Sequence, residues 1–572
     1  MTLLRVWAPK AAEVEVDLTG RRVPMVAAAG GWHEVDVAGA GPGTDYGFSL
    51  DGGPVLPDPR SPWQPAGVDG PSRTVDHAAF GWTDASWRGV HLPSAVLYEL
   101  HVGTFTPEGT FDAAIGRLDH LVDLGVDAVE LLPVAQFPGE RGWGYDGVDL
   151  YAPHEPYGGP EGLKRLVDAA HARGLGVVMD VVYNHLGPAG NHLGSYGPYF
   201  TDRYATPWGA AVNLDDAGSH EVRAFFVDNA VAWLRDYHCD GLRLDAIHAI
   251  LDTSATHLLE EMATQVEALA ASLGRPLFLV AESDLNDPRV VRRREVGGYG
   301  MDAQWSDDFH HAIHAALTGE RDGYYADFGS LAQIETALRR AFVYAGEHSL
   351  YRDRRHGRLD PTLSGHRFLG YAQNHDQIGN RAQGDRSAAL MSPGRLRLAA
   401  ALVLTAPFVP MLFQGEEWGA GTPFQYFTDH ADPALGRAVS EGRRSEFVAF
   451  GWKPADVPDP QDPATFERSK LDWDEPGRKE HAAVLGWHRR LIALRRAVPA
   501  LTDGRLDAVD MTFDEDGAWL LVRRGPVTVA GNLGDDAVDL AVTGAIVLAT
   551  NGVEHCADGT LRLAPDAVAV LA

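Results

Sequence analysis

The sequence predicts an α/β protein: a (β/α)8 TIM barrel carrying an N-terminal and a C-terminal β-sandwich. Three observations predict it. Between about residues 91 and 498, short apolar runs alternate with longer segments of helical periodicity. Before residue 90 and after residue 499 the pattern is period-two alternation broken by glycine-containing turns. The chain has 572 residues, enough for one barrel of about 250 residues or more and two small flanking domains.

In the N-terminal part, Glu13–Leu18 and Trp32–Val37 alternate polar and apolar residues, and Ala38–Gly43 reads as a turn. A proline-rich stretch follows, from Pro54 to Pro71. Proline fixes an extended path there and excludes helix, so the stretch reads as a packed linker. The barrel pattern then begins. Strands are expected at Val96–Leu100, Ala128–Val134, Val177–Val182, Gly241–Ala246, Pro276–Ala281, Met301–Trp305, Leu369–Gln373 and Pro410–Phe413. Helices are expected at Phe111–Leu124, Glu161–Arg173, His220–Tyr237, Ser254–Leu273, Gly394–Ala406 and Glu480–Arg496. The Asn184–Ser219 segment reads as a loop insertion. Eight such units imply parallel strands joined by right-handed crossovers, which favours closure over an open sheet. Beyond Pro499, Trp519–Val522, Val527–Ala530 and Ala545–Leu548 read as strands of the last sandwich.

The net charge of −30 excludes nucleic acid and anionic membrane surfaces as partners, since both need a basic face. The two cysteines, Cys239 and Cys556, are far apart in sequence and suggest neither a disulfide framework nor a zinc site. The N-terminus carries no signal-peptide pattern and no run is long enough to span a membrane, so a cytoplasmic protein is expected.

The chemistry centres on Gly241–Ala246. Residues two apart on a strand point the same way, so Arg243 and Asp245 share a face while Leu242 and Leu244 pack on the other. A fixed guanidinium favours the ionised form of a neighbouring carboxylate, the state a carboxylate nucleophile needs. Taken alone, such a pair is more often a strand-end ion pair. The other strand ends change that reading, because a barrel places its active site at the C-terminal ends of its strands. There stand Glu99 and His101, the loop residues Trp143, Tyr145 and Asp149, then Asp180, Asn184 and His185, Glu282, and Asn374-His375-Asp376. Three carboxylates on one rim, with a neutral polyhydroxylated ligand, suggest glycoside chemistry. Glu282 follows the apolar run Leu277–Ala281, an environment that raises a carboxyl pKa and suits a general acid. Tyr145 and Trp143 offer flat faces to a sugar ring.

These residues resemble a known family. Asp180-Val181-Val182-Tyr183-Asn184-His185, Gly241–Asp245, Val280-Ala281-Glu282 and Asn374-His375-Asp376 are similar to the four short regions of the α-amylase family of glycoside hydrolases. The resemblance implies a retaining double displacement. Carried over by match, Asp245 is the nucleophile, Glu282 the acid/base and Asp376 the transition-state stabiliser. It also implies substrate contacts from Trp143, Tyr145, Asp180, His185, Arg243, Asn374 and His375, with His248 on the leaving-group side. The Pro57–Pro71 phrase resembles branching enzymes and the trehalose-releasing hydrolases of this family. Glu282–Arg289, Asp308–His314, Gly323–Phe328 and Gln373–Arg381 are similar to the latter. The substrate so implied is maltooligosyl trehalose, cut at the α-1,4 bond beside its terminal trehalose. A functional coupling to the enzyme that makes this substrate is implied as well. The alternatives are a 1,4-α-glucan branching enzyme and, from another class, a non-catalytic glucan-binding protein.

No cofactor and no metal are expected. Asn184 falls where many amylases bind calcium, yet no extra carboxylate cluster accompanies it. His310 and His314 share a helix face without a general-base Glu between them, which favours packing or substrate contact over metal binding. The candidates for selecting a trehalose end are residues 184–219, residues 305–328 and His248.

Overall fold

Eight parallel strands close on themselves: β1 (Leu97–Leu100), β2 (Ala128–Leu131), β3 (Gly176–Val181), β4 (Gly241–Leu244), β5 (Phe278–Ala281), β6 (Ala303–Trp305), β7 (Phe368–Gly370) and β8 (Val409–Phe413). Neighbours in sequence are neighbours in the barrel, and β8 pairs with β1 to complete it. The structure is a computed structural model and describes residues 2–207, 209–446, 452–556 and 559–572.

Period-two alternation sorts the strand residues into two sets. Leu242, Leu244, Leu279, Ala281, Met179 and Val181 join the large apolar core outside the strands. Leu97, Ala128, Val178, Phe278, Val280 and Ala303 form a separate cluster with Trp305, Leu369 and Tyr371. Moving along β3 and β4, the residues two beyond Val178 and Gly241 are Asp180 and Arg243, and these two are register partners. The interior is therefore apolar toward one end and ionisable toward the end where the loops gather. Gly241 belongs to this arrangement. A Cβ there would lie 2.4 Å from the Phe278 ring, so the missing side chain on β4 gives Phe278 its place.

Helices cover the outside, including Gly159–His171, Ser219–Asp236, Leu258–Leu273, Asp307–Thr318, Pro393–Thr405 and Lys479–Ala497. Three expectations are corrected. The helix expected over Phe111–Leu124 is two, Phe111–Ile115 and Leu118–Leu124, because the first turn closes at Gly116, whose N–H donates to the Ala113 carbonyl. The strand expected to run to Ala246 ends at Leu244, and Ala246 turns into the left-handed region at φ +38°. The 184–219 insertion contains a short helix, Leu193–Tyr196, and an antiparallel pair, Phe200–Thr206 with Gly209–Val212. Its outer face is polar at Asp202 and Arg203, so no apolar alternation announces it.

The N-terminal strands form a three-stranded sheet of Thr2–Trp7, Trp32–Val37 and Val26–Ala27, beside a second sheet built on Val14–Leu18 and Asp45–Leu50. The proline-rich stretch is pinned near its start from two sides. Tyr46 donates to Asp58 at 2.7 Å, and Arg60 donates to Asp228 at 2.8 Å on the helix Ser219–Asp236. Beyond the barrel, residues from Val509 onward form a five-stranded and a three-stranded sheet. Arg395, in the helix after β7, donates to Asp566 and to the Leu533 carbonyl there.

Gly241→Ala forces its methyl onto the Phe278 ring inside the barrel. Overpacking of this kind costs about 1–3 kcal/mol, so the unfolding midpoint should fall in thermal or urea denaturation. An unchanged midpoint would show that the barrel interior is not packed as described.

Candidate active site

The site is built around the fully buried guanidinium of Arg243. Its Nη1 donates to Asp180 Oδ2 at 2.7 Å and to Asp245 Oδ1 at 3.0 Å, and reaches the Tyr145 hydroxyl at 3.3 Å. Its Nη2 lies 2.9 Å from Glu282 Oε2, an ion pair without hydrogen-bond alignment. The indole of Trp305, at the end of β6, covers the cation at 4.2 Å from ring centre to Cζ. Four acidic or phenolic partners hold the Arg243 pKa above its ordinary value against burial. The side chains of Asp245, Glu282 and Asp376 are 13, 19 and 32 % exposed, whereas that of Arg243 is 0 %, so the carboxylates open onto the cleft and the cation does not.

Backbone bonds across β3, β4 and β5 fix the two central carboxylates. The Asp245 N–H donates to the Val181 carbonyl and the Glu282 N–H to the Leu244 carbonyl, each at 3.0 Å, which continues the ladder past the strands. Ala246 then takes its positive φ, and its N–H donates to Glu282 Oε2 at 2.6 Å. A non-glycine residue in that region is sparsely populated and persists where the surroundings over-determine it. Asn184 donates from Nδ2 to Asp245 Oδ2 at 2.6 Å and to the Asp245 carbonyl at 2.9 Å. Burial and the Asp245 charge push the Glu282 carboxyl up, with Arg243 opposing them. Burial raises Asp180 to about 7, with Asp245 adding to the rise and Arg243 pulling against it.

Asp376 arrives from β7. Asn374 caps the short helix His375–Gly379, its Oδ1 accepting from the N–H groups of Asp376 and Gln377 at 3.0 and 3.1 Å. Its position is thus that of an N-cap that orients Asp376. His375 is held by Glu99, whose Oε1 lies 2.5 Å from Nδ1. Burial pulls the imidazole pKa down, but Asp376 and Glu99 outweigh it and raise it to about 9. The other ring nitrogen, Nε2, lies 2.7 Å from the Tyr145 hydroxyl, which donates to Asp180 at 2.7 Å. An imidazolium here donates from both nitrogens, to a carboxylate and to a phenol oxygen.

Most of the sequence-predicted residues converge. Asp180, Arg243, Asp245, Glu282, Tyr145, His375 and Asp376 form one connected network, and His185 lies beside Asn184. Tyr145 owes its position to Gly144, which sits at φ +100° with a notional Cβ 2.0 Å from the Pro133 carbonyl oxygen. One predicted contact is turned away from the cleft. Trp143 is 5 % exposed and stacks on Phe424 at 5.2 Å, so it backs the site and offers no open face. His248 stands exposed on the rim, 4.0 Å from Asp284 and close enough for its charge to act on Glu282. Sequence reading put Glu99 on the rim and Trp305 at the start of the 305–328 segment, but not their tasks, which are to hold His375 and to cover Arg243. Each stands at a strand end, which was the available signal. Among the described residues no group of three or more His, Cys, Asp and Glu could hold a metal ion. His310 pairs with Tyr325 at 3.0 Å and His314 with Glu320 at 2.7 Å.

A closed barrel with these carboxylates around a buried arginine defines a glycoside hydrolase of the α-amylase type, and residues 74–193 match the family described as Alpha amylase, catalytic domain. A malto-oligosyltrehalose trehalohydrolase of Arthrobacter ramosus is 54 % identical over 570 residues, covering 99 % of this chain and 98 % of that one. A protein of the same name from Mycobacterium tuberculosis is 51 % identical over 577 residues, covering 100 % and 99 %. Among solved structures, a candidate α-amylase from Salmonella typhimurium superposes with a TM-score of 0.92 at 40 % identity, covering 100 % of this chain and 97 % of the other. The chain belongs to the malto-oligosyltrehalose trehalohydrolase family. No helix among the described residues is long and apolar enough to cross a membrane.

The raised His375 has a stability consequence with a definite sign. A histidine lifted by folding contributes stability that is complete below its ordinary value of 6.5 and is lost as pH rises through about 9. The shift corresponds to something on the order of 3 kcal/mol. His375→Gln should therefore lower the thermal midpoint at neutral pH and flatten its decline through pH 9. Parallel midpoint-against-pH curves for the two proteins would show that His375 is not charged in the folded state.

Proposed function

We propose that this chain hydrolyses the α-1,4-glucosidic bond next to the terminal trehalose of maltooligosyl trehalose, releasing trehalose with retention at the cleaved anomeric carbon. The observation that carries the chemistry is the single guanidinium that engages both Asp245 and Glu282. The substrate rests on likeness to the trehalohydrolases over the whole chain.

In this reading Asp245 attacks the anomeric carbon while Glu282 gives its proton to the glycosidic oxygen, and trehalose leaves. Asp245 is suited to attack because Arg243 and Asn184 each hold one of its two oxygens in place. Glu282 is suited to hold a proton because burial raises its carboxyl. The resulting glycosyl ester of Asp245 is then hydrolysed: ionised Glu282 takes a proton from water, the water oxygen bonds to the anomeric carbon, and the Asp245 oxygen departs. Asp376 faces the same sugar and binds its hydroxyls, while the His375 imidazolium, its two N–H groups taken by Glu99 and Tyr145, holds the Tyr145 ring in place behind that sugar. Tyr145, partly exposed and stacked on His375 at 5.3 Å, provides the flat surface beneath it.

The same reading assigns residues 1–90 and 499–572 to β-sandwich domains and residues 91–498 to the catalytic barrel. It places the protein in the cytoplasm, a reducing compartment consistent with free Cys239 and Cys556. There it consumes the product of an enzyme that caps maltooligosaccharides with trehalose.

Incubation with maltooligosyl trehalose should release trehalose and a shorter glucan whose new reducing end is first the α-anomer, read by proton NMR. Asp245→Asn should retain binding and lose turnover by about 10⁴-fold or more. Amylose that gains α-1,6 branches, with no free trehalose, would replace this reading by a branching activity.

A further inference from the structure

The catalytic carboxylates occupy the ends of β4, β5 and β7, and the barrel order puts β6 between β5 and β7. Two residues past the end of β6 stands Asp307, the first residue of the helix Asp307–Thr318. Its Oδ1 accepts a hydrogen bond from the Tyr371 hydroxyl at 2.5 Å. Tyr371 is fully buried and packs edge-on to Trp305 at 5.7 Å, the same indole that covers Arg243. One oxygen of Asp307 is thus anchored to the core of the site. The other, Oδ2, takes no hydrogen bond among the described residues, and the residue is only partly buried.

We propose that Asp307 contacts the substrate on the leaving-group side, its free carboxyl oxygen hydrogen-bonding a hydroxyl of the departing sugar. This rests on the hydrolytic reading above and extends it to the choice of leaving group. The direction follows from the order of the strand ends. Glu282 protonates the glycosidic oxygen, so the departing sugar lies beyond Glu282 as seen from Asp245. Around the rim, the position beyond Glu282 is the end of β6. A cavity of about 260 Å³ opens on that side, lined by Glu320, Tyr324, Asn380, Arg381 and Trp452. Two of its lining residues adjoin the site: Asn380 donates to Asp376 at 3.3 Å, and Tyr324 lies within electrostatic reach of Asp376 and Asp307. Burial and the neighbouring carboxylates Glu282, Asp284 and Asp376 push Asp307 up to about 8, even against the Tyr371 hydrogen bond. An acid at a helix N-terminus also gains from the helix dipole, so the test must separate substrate contact from helix stability.

The experiment compares Asp307→Asn and Asp307→Ala with the unaltered protein on three readouts: trehalose release from maltooligosyl trehalose, inhibition of that reaction by added trehalose, and release of nitrophenol from 4-nitrophenyl α-maltooligosides. In the last substrate the departing group is not a sugar. For the alanine variant, kcat/KM for trehalose release should fall about tenfold to a hundredfold, and inhibition by trehalose should weaken by a similar factor. Nitrophenol release and the thermal midpoint should stay within about twofold and a few degrees. Folded variants with unchanged trehalose release and inhibition would overturn the proposal. So would an equal loss on the nitrophenyl substrate, which would mark a general effect on the site. Trehalose release by the unaltered protein, measured first, separates the two failures: its absence sinks the substrate reading, whereas its presence with an indifferent Asp307 sinks only this assignment.

Discussion

One buried guanidinium organises this molecule. Removing Arg243 from water carries a large desolvation penalty, offset only if its surroundings supply charge and good geometry. Asp180, Asp245 and Glu282 supply the charge, and Trp305 supplies a π face. Each comes from a different strand end, β3, the β4 extension, β5 and β6 respectively. The arginine that needs them therefore also sets where they stand. A carboxylate that attacks carbon and one that delivers a proton must differ in protonation while lying close together. Here one cation touches both, and burial with the Asp245 charge holds the Glu282 carboxyl up. The second cation, the His375 imidazolium, balances Glu99 and Asp376 and stacks on the Tyr145 ring. Two cations among this many carboxylates leave the cleft short of positive charge, in keeping with a neutral sugar as its occupant.

Much of this was legible in the sequence, for a physical reason. Strands buried on both faces need continuous apolar residues, so Val96–Leu100 and Leu277–Ala281 stand out from their surroundings. Their ends are where polarity returns, which is why Asp180, Arg243, Asp245, Glu282 and Asp376 could be picked out as one rim. What was not legible depended on contacts between distant residues. β6 is three residues long and gives almost no periodic signal, so residues 305–328 stand out only as a segment, with nothing to single out Trp305 or Asp307 within it. Asn374 reads by resemblance as a substrate contact, and only the fold shows it fully buried and capping the helix that begins at His375. Trp143 has the chemistry of a sugar platform, yet Phe424, nearly three hundred residues later, stacks on it. The break at Gly116 depends on a single turn closing early, which apolar spacing does not register.

The flanking sheets serve the site indirectly. The proline-rich linker is fastened near its start in two directions, by Tyr46 donating to Asp58 and by Arg60 donating to Asp228. The second of these anchors lies on the helix Ser219–Asp236 that leads directly into β4. At the other end of the chain, Arg395 ties the helix between β7 and β8 to the last sheets. Both attachments grip helices adjoining strands that carry or brace the catalytic groups, and neither approaches the cleft.

Closure of the barrel through β8 and β1 has a consequence for how the site comes into being. Glu99 sits on the first strand, and its carboxylate positions His375 on the seventh. Its own backbone carbonyl accepts the Gln414 N–H, just past the eighth. A chain emerging from the ribosome therefore carries Asp245 and Glu282 long before anything fixes the residues opposite them. The half-barrel ending at β5 has the nucleophile, the acid and the arginine, but Glu99 has no His375 to hold and β1 has an unpaired edge. The complete site is thus a property of the finished ring, because the group that orients His375 lies on the strand that closes it. Pairings this distant in sequence are the slow ones to form.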